Sequence, residues 1–431
     1  MSDDGGRAEG TDLVVLSLER WDDVWRRNQH LVAGLLQRDP GLRVLFVEPA
    51  VDPLHDLLRR RRPQLPRGLR DGPTLPGVEP GRLRLFEPAK WLPRRLDPRV
   101  DQRLAAATVR AARRAGFHSP LLWVNDPDGA AVLQATGWPA LYDVTDDWLL
   151  ADRSPAETSR HAQAEAVLLE RVREVVVCSP ALARSKGSGR PVTLVPNAVD
   201  LAAYRTQRVR PGDLPAGPVA LYVGTAHRDR LDVELCAATA GALSGVGHLV
   251  LVGPVALEPE DVHRLEAAGV RLLGPRPAVD VPGYLQHADV LVVPHVVTPF
   301  TDSLDPIKLY EYRAVGRPVV STAVAGFRDA VDARITVVDR SAFASAVVDR
   351  VRSSPVHAPE PGESAVPSWS DRVGQFAQVL ARVAGDRGMA GPVADRAGGY
   401  RPGADRARAD RPRSHGHGPG GPPEPHPRSS T

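Results

Sequence analysis

The chain has 431 residues, 42% hydrophobic and 25% charged, which allows two or three domains with buried cores and excludes a chain disordered throughout. Its 55 basic and 52 acidic residues leave a net charge of +3, too small an excess to argue for a nucleic-acid partner. No run of 18 apolar residues occurs, and the first ten residues lack the basic and apolar regions of a signal peptide. Cys178 and Cys236 sit singly in apolar runs as small buried hydrophobes without metal-ligand spacing, so the expected location is the cytoplasm.

Short apolar runs alternate with longer amphipathic segments, the rhythm of an α/β chain with mainly parallel sheets. Strands are predicted at 13–18, 44–47, 121–124, 140–142, 174–178 and 192–195. A second series is predicted at 219–223, 248–252, 270–273, 290–293, 318–322 and 335–338. Residues 204–217, rich in Pro and Gly, suit a linker, which divides the chain into a domain over 11–204 and another over 218–367. A last helix is expected within 368–384 with Ser370 as its N-cap, followed by a disordered Pro/Gly/Arg-rich tail over 385–431.

Residues 52–114 contain 16 Lys or Arg against 7 Asp or Glu, including Arg59-Arg60-Arg61-Arg62, Lys90-Trp91 and Arg94-Arg95. Such a stretch is either a solvated basic surface or a patch for anionic lipid or a phosphate-bearing acceptor. The second reading implies peripheral contact at the inner face of the cell membrane.

The most informative segment runs from Ser303 to Val320. Asp305 is placed to cap a helix whose first position is Pro306, and Gly316 to end it. Lys308, one of only three lysines, then falls in the first turn with Glu311 one turn deeper on the same face. A helix N-terminus with an added ammonium suits a diphosphate, and a carboxylate beyond it suits ribose hydroxyls. Taken alone, the same pattern also describes a capped amphipathic helix with a surface Lys/Glu pair.

Pro306, Lys308, Glu311, Tyr312, Ala314, Gly316, Pro318, Val319 and Val320 resemble the Pro-x-Lys-x-x-Glu-Tyr and Ala-x-Gly-x-Pro-Val-Val signature of GT-B nucleotide-sugar glycosyltransferases. The likeness is to the retaining family 4-like group, in particular teichuronic acid biosynthesis glycosyltransferases. The wider family reads Glu-x7-Glu, and its first Glu falls here at Ser303, with Asp302 or Asp305 as substitutes. Residues 220–232 resemble the first strand and Gly turn of a donor domain, with Gly224 near the ligand and Arg228 or Arg230 on its diphosphate. Residues 273–277, including Arg276, resemble the base-binding loop, and Val195-Pro196-Asn197-Ala198-Val199-Asp200 resembles the family's hinge entry. Trp25 to Leu31 resembles the family's first cleft helix, which implies a cleft role for Arg27.

The resemblance implies two Rossmann-like doubly wound domains facing across a cleft, with a nucleotide-diphosphate sugar as donor substrate and a carbohydrate or lipid-linked acceptor. It assigns Lys308, Arg228 and Asp146 to catalysis, with Gly224, Arg230, Arg276, Ser303, Asp305, Pro306, Ile307 and Glu311 around the donor. On the acceptor side, the acidic clusters after the strands at 121–124 and 140–142 supply Asp126 and Asp143, beside Arg27. No convincing DxD loop occurs in the donor half, and the fixed cations can replace a metal, so neither metal nor cofactor is expected. Retention follows from the resemblance alone. A nucleotide-sugar epimerase and a non-catalytic sugar-nucleotide binding protein are the alternative functions.

Overall fold

Buried runs of valine and leucine build two sheets in the computed structural model, which describes residues 11–60, 62–353 and 366–385. Both sheets lie within one compact unit. The first contains β1 (Asp12–Leu16), β2 (Arg43–Val47), β3 (Gly68–Asp71), β4 (Leu83–Glu87), β5 (Leu121–Val124), β6 (Ala140–Val144), β7 (Glu174–Val177) and β8 (Thr193–Leu194). Their order is β3-β4-β2-β1-β5-β6-β7-β8, and β3 alone is antiparallel to its neighbour. β1 is buried along nearly its whole length, as expected for a central strand covered on both faces.

Beyond the helix Leu201–Arg205 come β9 (Val219–Val223), β10 (Ala226–His227), β11 (His248–Val252), β12 (Val255–Ala256), β13 (Arg271–Gly274), β14 (Val290–Val293), β15 (Val319–Ser321) and β16 (Ile335–Val337). Six of these form a wholly parallel sheet in the order β13-β11-β9-β14-β15-β16, while β10 and β12 pair separately. The switch in strand order at β9 and β14 opens a crevice at their carboxyl ends, the position where open α/β sheets take ligands. The first sheet has a corresponding opening between β1 and β5.

β3 and β4 fall inside the stretch that composition marks only as basic. β4 alternates buried and half-buried residues, with Leu83, Leu85 and Glu87 inward. Arg84 and Glu87 interrupt its apolar residues and conceal it from a search for continuous apolar runs.

The helix Trp369–Ala384 returns to the first sheet. Trp369, Val373, Phe376, Val379, Leu380 and Val383 join the core that holds Trp123, Leu141 and Val176. Phe376 lies 4.3 Å from the Trp123 ring, and Trp369 stacks on His30 at 4.7 Å. Its N-cap is Ser368, not Ser370: the Ser368 hydroxyl accepts from the Asp371 amide while Asp371 accepts from the Ser368 amide. Gly34 sits under this helix, and a methyl group there would meet the Val373 side chain at 2.3 Å. Gly34→Ala is therefore expected to lower stability by about 1–3 kcal/mol through overpacking, read from urea denaturation. The tail expected over 385–431 lies, beyond residue 385, outside the described residues.

Candidate active site

The helix Ile307–Val315 occupies the junction of the two sheets. Its C-cap is Gly316 with φ of 77°, the left-handed conformation the sequence pattern requires. The start differs from expectation: Pro306 is the N-cap, and Asp305 does not cap the helix. The Asp305 carboxylate instead accepts from the Asn197 amide at 2.5 Å and from the Tyr310 hydroxyl at 2.8 Å. The Asn197 side chain donates back to the Asp305 carbonyl at 2.6 Å. Asp305 therefore joins the hinge to the helix, a role the sequence could not distinguish from capping.

As at any helix start, the amides of the first turn have no i−4 partners inside the helix; of these, the Leu309 amide donates to the Pro306 carbonyl at 3.0 Å. Lys308 lies in that turn, half-buried. Its Nζ is 4.0 Å from the centre of the Tyr222 ring and 3.4 Å from His295 Nε2. Gly224, with φ of 144°, lets the lysine pass: a Cβ there would lie 3.0 Å from Nζ. Burial first, then Arg230, pulls the Lys308 pKa down to about 7, with Glu311 opposing. Burial, with Lys308 and Arg230, holds His295 well below its ordinary range and so neutral. Tyr222 and His295 were missed in the sequence; the only trace of His295 is its place two residues after a buried strand.

Glu311, one turn on, accepts from the Tyr204 hydroxyl at 2.5 Å, and burial raises its pKa against the pull of Tyr204 and Lys308. Ser303, at the position of the family's first Glu, is buried with its hydroxyl on the Phe300 carbonyl. Its own carbonyl accepts from Ser179 at 2.6 Å. Asp302 pairs with Arg328 at 2.5 Å, so neither proposed substitute for that Glu stands free beside Lys308. Ile307 packs against the core of the first sheet, and Pro306 against Gly326.

Arg230 crosses the junction, with its guanidinium 3.7 Å from Asp146 and 5.7 Å from the Phe300 ring. Burial raises the Asp146 carboxyl, opposed by Arg230 and the Thr145 hydroxyl. Glu19, which the sequence did not single out, is pushed up to about 7 by burial, opposed by Arg26 and reinforced by Asp146. Arg228 stands apart, exposed and paired with Asp261 at 3.4 Å. Arg276 is held by Asp213 at 2.6 Å and by Tyr284 at 3.0 Å.

The acceptor-side residues are arranged differently from the expectation of free ligands. Arg27 and Asp143 are both buried and form a two-bond pair, each bond 3.0 Å, with a third guanidinium nitrogen 3.3 Å from Asn197 Oδ1. Arg27 therefore faces Asp143 and the hinge. Asp126 caps the short turn Pro127–Gly129 by accepting from the Asp128 amide, and burial together with the Asp128 charge pushes its carboxyl up to about 7.

Two facing sheets with a cation and a helix start at their junction define a GT-B-like architecture. Residues 217–352 match the family described as Glycosyl transferases group 1. Among similar solved structures is Anabaena Alr3699/HepE in complex with UDP and glucose, 15% identical, covering 85% of this chain and 98% of that one at a TM-score of 0.58. Another is a UDP-forming α,α-trehalose-phosphate synthase from Burkholderia xenovorans in complex with glucose-6-phosphate, 12% identical, covering 86% and 100% at a TM-score of 0.58. At such identities the likeness defines the fold. No curated protein matches the chain.

Proposed function

We propose that the chain is a glycosyltransferase that moves a sugar from a nucleotide-diphosphate donor to a hydroxyl acceptor, in the making of a cell-surface polysaccharide or glycolipid. The observation that carries this reading is Lys308 Nζ in the first turn of the Ile307–Val315 helix, against Tyr222 and the Gly224 turn. The family match over the second sheet and the UDP and glucose bound by the Anabaena protein support it. When the bond between the sugar and the diphosphate breaks, negative charge grows on the departing phosphate. Lys308 and the helix amides meet that charge, with Arg230 at the rim of the junction. Because these groups supply the positive charge, we propose turnover without a divalent metal. Retention of anomeric configuration rests on the motif resemblance at 306–320.

The test is release of UDP from UDP-glucose across an acceptor panel, with and without EDTA, and NMR of the product anomer. Acceptor-dependent release supports a transferase, whereas donor conversion without acceptor identifies an epimerase. Binding without turnover across the panel favours the non-catalytic alternative, to which Ser303 in place of a carboxylate lends support.

The site also predicts a pH dependence. The free Lys308 pKa near 7 rises when a diphosphate sits beside it, so above that pH binding takes up a proton. Donor affinity is highest below the free pKa and falls by about tenfold per pH unit above it, until the bound pKa is reached. Calorimetric titration of UDP-glucose between about pH 6 and about pH 9 reads this slope. Lys308→Met should remove it.

A further inference from the structure

The edge of the first sheet carries a surface that donor binding does not use. Leu57, Leu58, Leu65, Trp91, Leu92 and Leu96 are all exposed, Trp91 at 59% and Leu58 at 73%. They belong to one region: Lys90 pairs with Asp52 at 2.6 Å, Val51 bridges Ala89, and the Gln64 amide donates to Asp56 at 3.0 Å. These links bind the helix Pro53–Leu58 to the segments 62–66 and 89–92. Beside them, Phe86, Trp91, Leu92, Val100 and Leu104 line an open groove of about 460 Å³.

The charge around this apolar surface is predominantly positive. Five of the seven carboxylates in this stretch pair internally: Asp52 with Lys90, Asp71 with Arg84, Glu87 with Arg67, Asp97 with Arg103 and Asp101 with Arg94. Arg59, Arg60, Arg62, Arg95, Arg99 and Arg110 are exposed and make no ion pair among the described residues. Arg60 also holds φ of 56°, the one non-glycine residue in the left-handed region among those described. Unpaired arginines interleaved with exposed Trp and Leu match the chemistry of a lipid interface, where phosphates meet hydrocarbon. A nucleic acid would make use of the arginines but not the leucines.

The placement has a consequence for the site. The patch follows the carboxyl ends of β2 and β4, the end of the sheet from which Glu19 and Asp146 reach the junction. Arg20, next to Glu19, lies 3.6 Å from Glu87, which lines the groove, so an ion pair links the groove to the residue beside Glu19.

We propose that this face seats the protein on an anionic lipid bilayer, with Trp91, Leu92 and Leu96 in the headgroup region and the unpaired arginines on lipid phosphates. Its purpose, bringing a lipid-linked acceptor to the junction, rests on the glycosyltransferase reading; the binding itself does not.

The test is sedimentation of the full chain with phosphatidylglycerol–phosphatidylcholine vesicles and with phosphatidylcholine vesicles alone. Binding is expected to the mixed vesicles, weakened by salt, and to drop roughly fivefold for each arginine removed in Arg59→Ser, Arg60→Ser and Arg62→Ser variants. Trp91→Ala with Leu92→Ala should weaken it further while the thermal shift given by UDP stays unchanged. Equal binding to both vesicle types, variants that sediment like wild type, or no binding would overturn the proposal. A dimer that Trp91→Ala dissociates would also overturn it, because a second copy would then cover the face. A chain that binds vesicles but no nucleotide would keep this proposal and remove the donor-site reading.

Discussion

Lys308→Ala is expected to lower kcat/KM by about a hundredfold to a thousandfold, about 3–4 kcal/mol of lost transition-state stabilisation. The loss should fall mainly in kcat, because the charge Lys308 meets is greatest once the sugar has begun to leave. The fold should survive, since removing an ammonium that burial already drives toward neutrality strips no stabilising ion pair from the apo protein. Lys308→Arg is expected to rescue little. The ammonium fits between the Tyr222 ring at 4.0 Å, His295 at 3.4 Å and the bare Gly224 backbone, and a planar guanidinium is too broad for that gap. Steady-state kinetics on the three proteins, with melting temperatures alongside, checks the prediction; a Lys308→Ala enzyme with full activity would remove the residue from the mechanism.

The second large effect concerns stability. Asp143→Ala leaves the Arg27 guanidinium buried without its carboxylate, and breaking such a pair from one side costs about 3–5 kcal/mol. The damage should reach the donor helix, because Arg27 also holds Asn197, whose amide and side chain both bind Asp305. Replacing both partners, as Arg27→Met with Asp143→Leu, should recover most of the lost stability because no charge is then stranded. Urea denaturation of the single and double variants measures it. An Asp143→Ala protein as stable as wild type would mean that the pair contributes nothing to holding the hinge.

What was legible in the sequence follows the range of the interactions. The second sheet's central strands β9, β11, β14 and β15 are short, largely buried apolar runs, and each was visible as such. β4 was not, because a half-exposed strand with arginine and phenylalanine outward looks like a charged surface. The helix at 307–315 was visible through Pro306 at its start and Gly316 at its end. Its cap was misplaced because Asp305 has two hydrogen-bonding partners, Asn197 and Tyr310, one of them 108 residues away. Arg27 and Asp143 were each singled out as ligands for a substrate, yet they bind each other across 116 residues. Local patterns identify which residues are chemically capable; which of them are spent on partners is decided by tertiary contact.

The most direct measurement is a crystal structure of the chain with UDP. The diphosphate is expected within hydrogen-bonding reach of Lys308 Nζ and the first amides of the Ile307–Val315 helix, with the ribose toward Glu311. Phosphates bound elsewhere, with Lys308 still packed on Tyr222 and His295, would contradict it.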